Sequence, residues 1–120
     1  MEYQFIHYPK CSTCKKAKKW LQEHNINFIE RDIVEDCPSE EELEKWILAS
    51  GKTMNSFFNT SGLVYKSLNL KEKLPTLNDK DKIKLLASNG MLIKRPLLIG
   101  ENLVINGFRK NEWEEKVTGK

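Results

Sequence analysis

Cys11 and Cys14 stand two residues apart where a short β-like run gives way to helical periodicity. No other feature of the chain restricts its fold as tightly. Tyr3–Tyr8 reads YQFIHY, with Phe5 and Ile6 among β-favouring aromatics, and Pro9 ends it. From Ser12 to about His24 the apolar positions Cys14, Ala17 and Leu21 recur at i, i+3 and i+7, with Trp20 beside them. The spacing predicts a strand, a turn and a helix, with Cys11 at or near the helix N-cap. A helix start carries partial positive charge and free amide donors, so a thiolate there is stabilised. Cys14, one turn on, lies on the same face and within reach of a disulfide. The residues therefore point to a nucleophilic thiol at Cys11 and a resolving thiol at Cys14, joined by mixed-disulfide chemistry. The plainer alternative is two thiols packed as small hydrophobes, which suits Cys14 better than Cys11.

The rest of the chain continues the pattern. Phe28–Ile33 (FIERDI) alternates and reads as a second strand. Ser39-Glu40-Glu41-Glu42 is a capping box, followed by an apolar stripe of Leu43, Trp46 and Ile47 and by Gly51 as a left-handed terminator. Ser56–Leu74 reads as two short helices around the turn Asn59-Thr60-Ser61-Gly62. Asn78 caps a helix through Ile83, Leu86 and Ala87 that Gly90 ends. Leu97–Ile99 and Leu103–Ile105 form a hairpin across the three residues Gly100-Glu101-Asn102, and a last amphipathic helix carries Trp113 and Val117. Trp20, Trp46 and Trp113 all fall on helical stripes and are expected in the core. The order is βαβ, a helical insertion at about 39–90, then ββα. The first two strands need a crossover and are expected to be parallel, the last two antiparallel, in one mixed four-stranded sheet of an α/β fold. The chain, 1–120, is expected to form a single domain.

Composition limits the function. With 31% charged and 39% hydrophobic residues the chain is neither a disordered tail nor a membrane protein. No apolar run approaches the roughly 18 residues of a spanning helix. The net charge of +3 is too mild to imply direct nucleic-acid binding. Three cysteines are an odd count, not a disulfide framework, and the first residues lack a signal-peptide pattern, so a cytoplasmic protein is expected. A zinc set of Cys11, Cys14, His24 and Cys37 fails on geometry. Cys14 and His24 would stand about 15 Å apart along the helix, so no metal is expected. Cys37, a lone thiol before Pro38, has no assigned role.

YPKCSTCKKAKKWL, with FFNTSG and then LIKRPLLI and INGF downstream, resembles the ArsC/Spx family over about Tyr3 to Trp113. The family comprises thioredoxin-fold proteins, including glutaredoxin-coupled arsenate reductases and the Spx regulators. The resemblance implies a thioredoxin-like fold with a helical insertion. It implies a catalytic role for Cys11, an anion-binding role for Arg95, and a cis bond before Pro96 that turns the Arg95 backbone toward the sulfur. His7 and Pro9 match positions of the family motif. Asn59 falls where the first of three anion-binding arginines aligns, and the chain has only Arg31, Arg95 and Arg109. An amide does not replace a guanidinium fork, which argues against efficient arsenate reduction. The implied activity is an arsenate-reductase-like thiol–disulfide oxidoreductase acting on a small anionic or thiol substrate. It needs no bound cofactor and draws electrons from glutathione and glutaredoxin or from thioredoxin. The alternative is an Spx-like redox switch that binds the RNA polymerase α subunit.

Several site candidates also have plainer readings. His7 either orients or protonates near Cys11, or is a hydrogen-bonded strand residue. Lys15, with Lys10, Lys16, Lys18 and Lys19, either steers an anion or belongs to a solvated helix face. Asn59-Thr60-Ser61-Gly62 either contacts a ligand or simply ends a helix.

Overall fold

The computed structural model describes residues 2–119. They form two compact units, residues 2–32 with 95–119, and Ile33–Lys94. In the first unit, β1 (Tyr3–His7), α1 (Ser12–Glu23) and β2 (Phe28–Asp32) are followed, after the second unit, by β3 (Leu97–Gly100), β4 (Leu103–Asn106) and a C-terminal helix, Lys110–Thr118. The strands form one sheet in the order β2-β1-β3-β4. β1 and β2 are parallel, and β1–β3 and β3–β4 antiparallel. This is the mixed sheet and the connectivity expected from the sequence.

The sheet register explains the core. Phe5 stands opposite Leu98, and Leu98 opposite Ile105, so the three share one face. Against that face α1 sets Ala17, Trp20 and Leu21, and the C-terminal helix sets Trp113. Trp113 is fully buried, packs edge-on against Trp20 and Phe108, and donates from Nε1 to the Gly107 carbonyl at 3.1 Å. An indole is stable in a core when its one donor is used in this way.

The second unit is helical. Its α2 (Glu40–Ser50) starts with the expected reciprocal capping box between Ser39 and Glu42 and stops at Gly51, whose φ of 70° is left-handed. Two further short helices follow, α3 (Leu63–Ser67) and α4 (Leu70–Lys73), and then α5 (Asp79–Ser88), capped by the Asn78 side chain on the Asp81 amide. The C-terminal helix is therefore α6. Short 3-10 turns at Met54–Phe57, Leu74–Thr76 and Gly90–Leu92 complete the unit. An isolated bridge joins Phe58 to Ile93, and the Lys94 amide donates to the Phe57 carbonyl at 2.7 Å.

Two local expectations need correction. The hairpin turn is two residues long, not three, because Gly100 continues β3 and pairs with Leu103. Gly90 does not terminate α5, which ends at Ser88. It opens a 3-10 turn, with its α-carbon pressed so closely to the Ile33 carbonyl that a Cβ would collide with it.

Candidate functional site: a two-thiol centre at the start of α1

Pro9 and Lys10 carry the chain from β1 into a tight turn, in which the Cys11 amide donates to the Tyr8 carbonyl at 2.9 Å. Cys11 is the N-cap of α1, with extended backbone (φ −84°, ψ 123°), and its carbonyl accepts from the Lys15 amide. A cysteine side chain is a poor capping acceptor as a thiol and a good one as a thiolate. The Cys11 side chain makes no capping hydrogen bond here. Burial pushes the Cys11 thiol up, but the Cys14 amide, the Cys14 thiol and the Arg95 guanidinium together outweigh it, and the net shift is downward. Cys14 goes the other way. It is 1% exposed. Burial, opposed in part by the Tyr8 backbone, combines with the neighbouring Cys11 to push Cys14 up to about 12. Two thiols one helical turn apart are thus divided into an easily ionised and a strongly protonated one. Their environments displace them in opposite directions. Neither is in a disulfide, nor is Cys37, whose Sγ donates at 3.5 Å to the Ala87 carbonyl at the end of α5.

Arg95 follows the second unit and precedes β3. Its guanidinium lies over the Tyr8 ring, 5.2 Å from the centroid, and beside the Cys11 sulfur. The Arg95–Pro96 peptide bond is cis. Nε and Nη1 of Arg95 are buried without a hydrogen-bond partner. Leaving such donors unpaired costs on the order of 1–3 kcal/mol, more for a charged group. The guanidinium is thus set to receive an acceptor next to the thiol.

His7 is placed differently from the expectation of a group serving Cys11. It stacks on Phe5, with ring centroids 4.8 Å apart, and its Nε2 lies 3.4 Å from Glu30 Oε2. Lys18 holds the other Glu30 oxygen at 2.7 Å. Burial lowers the His7 pKa, with Lys18 acting in the same direction and Glu30 and Asp32 opposing it. The hydrogen bond from Lys18 is the main reason that the Glu30 pKa is also lowered. Residues His7, Lys15, Lys18, Glu30 and Asp32 line a cavity of about 460 Å³ that reaches Cys14.

Glu30 and Asp32 did not stand out in the sequence, although the signal was there. Strand alternation puts Phe28, Glu30 and Asp32 on one face of β2, and the parallel register sets them beside Tyr3, Phe5 and His7. Asn59 belongs to the second unit. There its Nδ2 donates to the Met91 carbonyl at 3.4 Å and its Oδ1 accepts from Ser61. Lys10, Lys15, Lys16 and Lys19 are exposed, whereas Lys18 is drawn into the ion pair with Glu30. Among the described residues no cluster of side chains could hold a metal ion, and no helix is long and apolar enough to cross a membrane.

A half-buried arginine beside a cysteine at the N-cap of α1, on a mixed four-stranded sheet, is the arrangement of an arsenate-reductase-like fold. The ArsC family model matches residues 6–116, and the chain belongs to that family. It is 50% identical over 115 residues to the protein YusI of Bacillus subtilis, covering 96% of this chain and 98% of that one. The crystal structure of an ArsC-family-related protein from Bacteroides fragilis superimposes with a TM-score of 0.93 at 54% identity, covering 96% and 97% of the two chains. The global transcriptional regulator Spx of Enterococcus faecalis is 34% identical over 104 residues, covering 87% of this chain and 77% of Spx.

Proposed function

We propose that the protein is a thiol–disulfide oxidoreductase of the arsenate-reductase-like type, with Cys11 as nucleophile and Cys14 as resolving thiol. The opposite displacement of the two thiols, with Arg95 at the more acidic one, carries this reading. The Cys11 thiolate attacks a sulfur of the substrate disulfide and expels the leaving thiolate. Cys14 then attacks Cys11 Sγ, releases the second thiol and closes the Cys11–Cys14 disulfide. Two electrons from glutaredoxin and glutathione, or from thioredoxin, restore the dithiol, and no bound cofactor takes part. Arg95 and the α1 amides hold an anionic group of the substrate or intermediate, with Lys15 adding positive potential at the helix start. In the family resemblance Asn59 aligns with the first of three anion-binding arginines, so a thiol substrate suits the chain better than arsenate.

The deciding experiment measures turnover of a small disulfide, and separately of arsenate, with each reductant. Cys11→Ser is expected to abolish turnover, while Cys14→Ser accumulates the Cys11 mixed disulfide. Asn59→Arg is expected to raise arsenate turnover. Unchanged turnover in Cys11→Ser refutes the reading.

The similarity to Spx favours a second reading, in which the Cys11–Cys14 disulfide switches affinity for the RNA polymerase α subunit. Its test is binding of the oxidised and reduced protein to that subunit. Equally weak binding by both forms removes it.

A further inference from the structure

The reaction outlined above leaves one proton without a destination. Cys14 must lose it to attack, yet Cys14 is buried and its thiol holds the proton firmly. Arg95 and the helix start serve Cys11. We propose that His7 takes the proton from Cys14, through water in the cavity that both residues line, and that Glu30 stabilises the imidazolium so formed. This inference rests on the resolving role of Cys14.

The geometry follows from the sheet. Along β1 and β2 the α1-covered face runs from Phe5 and Phe28 to His7, Glu30 and Asp32. One turn of α1 lies over the polar end, bringing Cys14 and Lys18 to the same cavity, which is large enough for several waters. His7 is held neutral at rest by burial, so it has a lone pair to offer at neutral pH. Once it is protonated, Glu30 at 3.4 Å and Asp32 on the neighbouring strand favour the charge, whereas Lys18 and Lys15 oppose it. Lys18 is already paired with the far oxygen of Glu30, which limits its opposition.

The step balances without an external oxidant. Cys14–SH gives its proton to His7, and its thiolate attacks the Cys11 sulfur of the mixed disulfide. The Cys11–Cys14 bond forms, the bond from Cys11 to the substrate sulfur breaks, and the departing thiolate is reprotonated. The exchange makes one disulfide and consumes one.

The experiment reacts reduced protein with the aromatic disulfide DTNB in stopped flow, in a Cys37→Ser background to remove the third thiol. The first release of thionitrobenzoate reports attack by Cys11, the second closure by Cys14. In His7→Gln the first phase is expected to stay within about twofold, while the second slows by at least about tenfold near pH 7. The slowed phase also loses the fall in rate that protonation of His7 produces on the acid side of the ordinary imidazole range. Glu30→Gln, at a partly exposed strand position, keeps the imidazole and is expected to move that fall to lower pH. An unchanged first phase in either variant shows that the thiol centre is intact. A second phase that is present but indifferent to both substitutions overturns the role of His7 alone. A wild-type protein with no second phase overturns the resolving role of Cys14, and this inference with it.

Discussion

Raising the pH should weaken the fold through Cys14, by an amount that can be worked from the structure. The folded thiol holds its proton up to about 12, against an ordinary value of 9.0 in the unfolded chain. The unfolded state therefore sheds this proton first as pH rises. The stabilisation is fully present below about pH 9 and is lost progressively between about 9 and 12. At about pH 10.5 the unfolded thiol is ionised and the folded one is not, a difference of about 2 kcal/mol at 1.36 kcal/mol per pKa unit. Water reaching Cys14 through the cavity reduces this to about 1–2 kcal/mol. The assay is urea denaturation of wild type and Cys14→Ala, both fully reduced, at pH 7 and at about pH 10.5. Lysines and tyrosines also titrate in this range, so the informative quantity is the difference between the two proteins. Cys14→Ala is expected to be less stable at pH 7, because it leaves a small cavity, and to close that gap by about 1–2 kcal/mol at the higher pH. A gap that stays constant refutes the claim that this sulfur is kept neutral by its surroundings.

Two other substitutions probe the site and its scaffold. Arg95→Gln removes the guanidinium beside Cys11, so the midpoint of iodoacetamide alkylation at Cys11 should move to higher pH; an unmoved midpoint would leave the helix start and Cys14 as the whole cause. Gly90→Ala drives a methyl into the Ile33 carbonyl and should cost about 1–3 kcal/mol, read as a lowered urea midpoint with unchanged Cys11 reactivity.

The residues announced the fold wherever local chemistry decides it. The Ser39–Glu42 box, the Asn78 cap and the left-handed Gly51 are formed within one turn of chain, and all three are present. The βαβ order left little choice for β1 and β2 except parallel pairing. Ser56–Leu74 was harder because it has no sustained period. It breaks into a 3-10 turn and two helices of five and four residues, ordered by contacts such as the Asn59 amide on the Leu92 carbonyl. Gly90 illustrates the same limit, since nothing local reveals that the chain at Ile33 will press against it. At the site, the position of Cys11 at a helix start was legible from the switch in periodicity. The partner of His7 was not, because Glu30 becomes its neighbour only through the register between two strands.

The graded face beneath α1 has a consequence for altering this protein. Ala17 and Leu21 sit over the dry end of the sheet, and Cys14 and Lys18 over the wet end, only one helical turn away. Firmness and reactivity are thus weighted toward two neighbouring stripes of the same helix. Changes at Ala17 and Leu21 should retune the melting behaviour and spare the sulfur chemistry, while changes at Cys14 should touch both. A protein engineer could work on the two properties in turn.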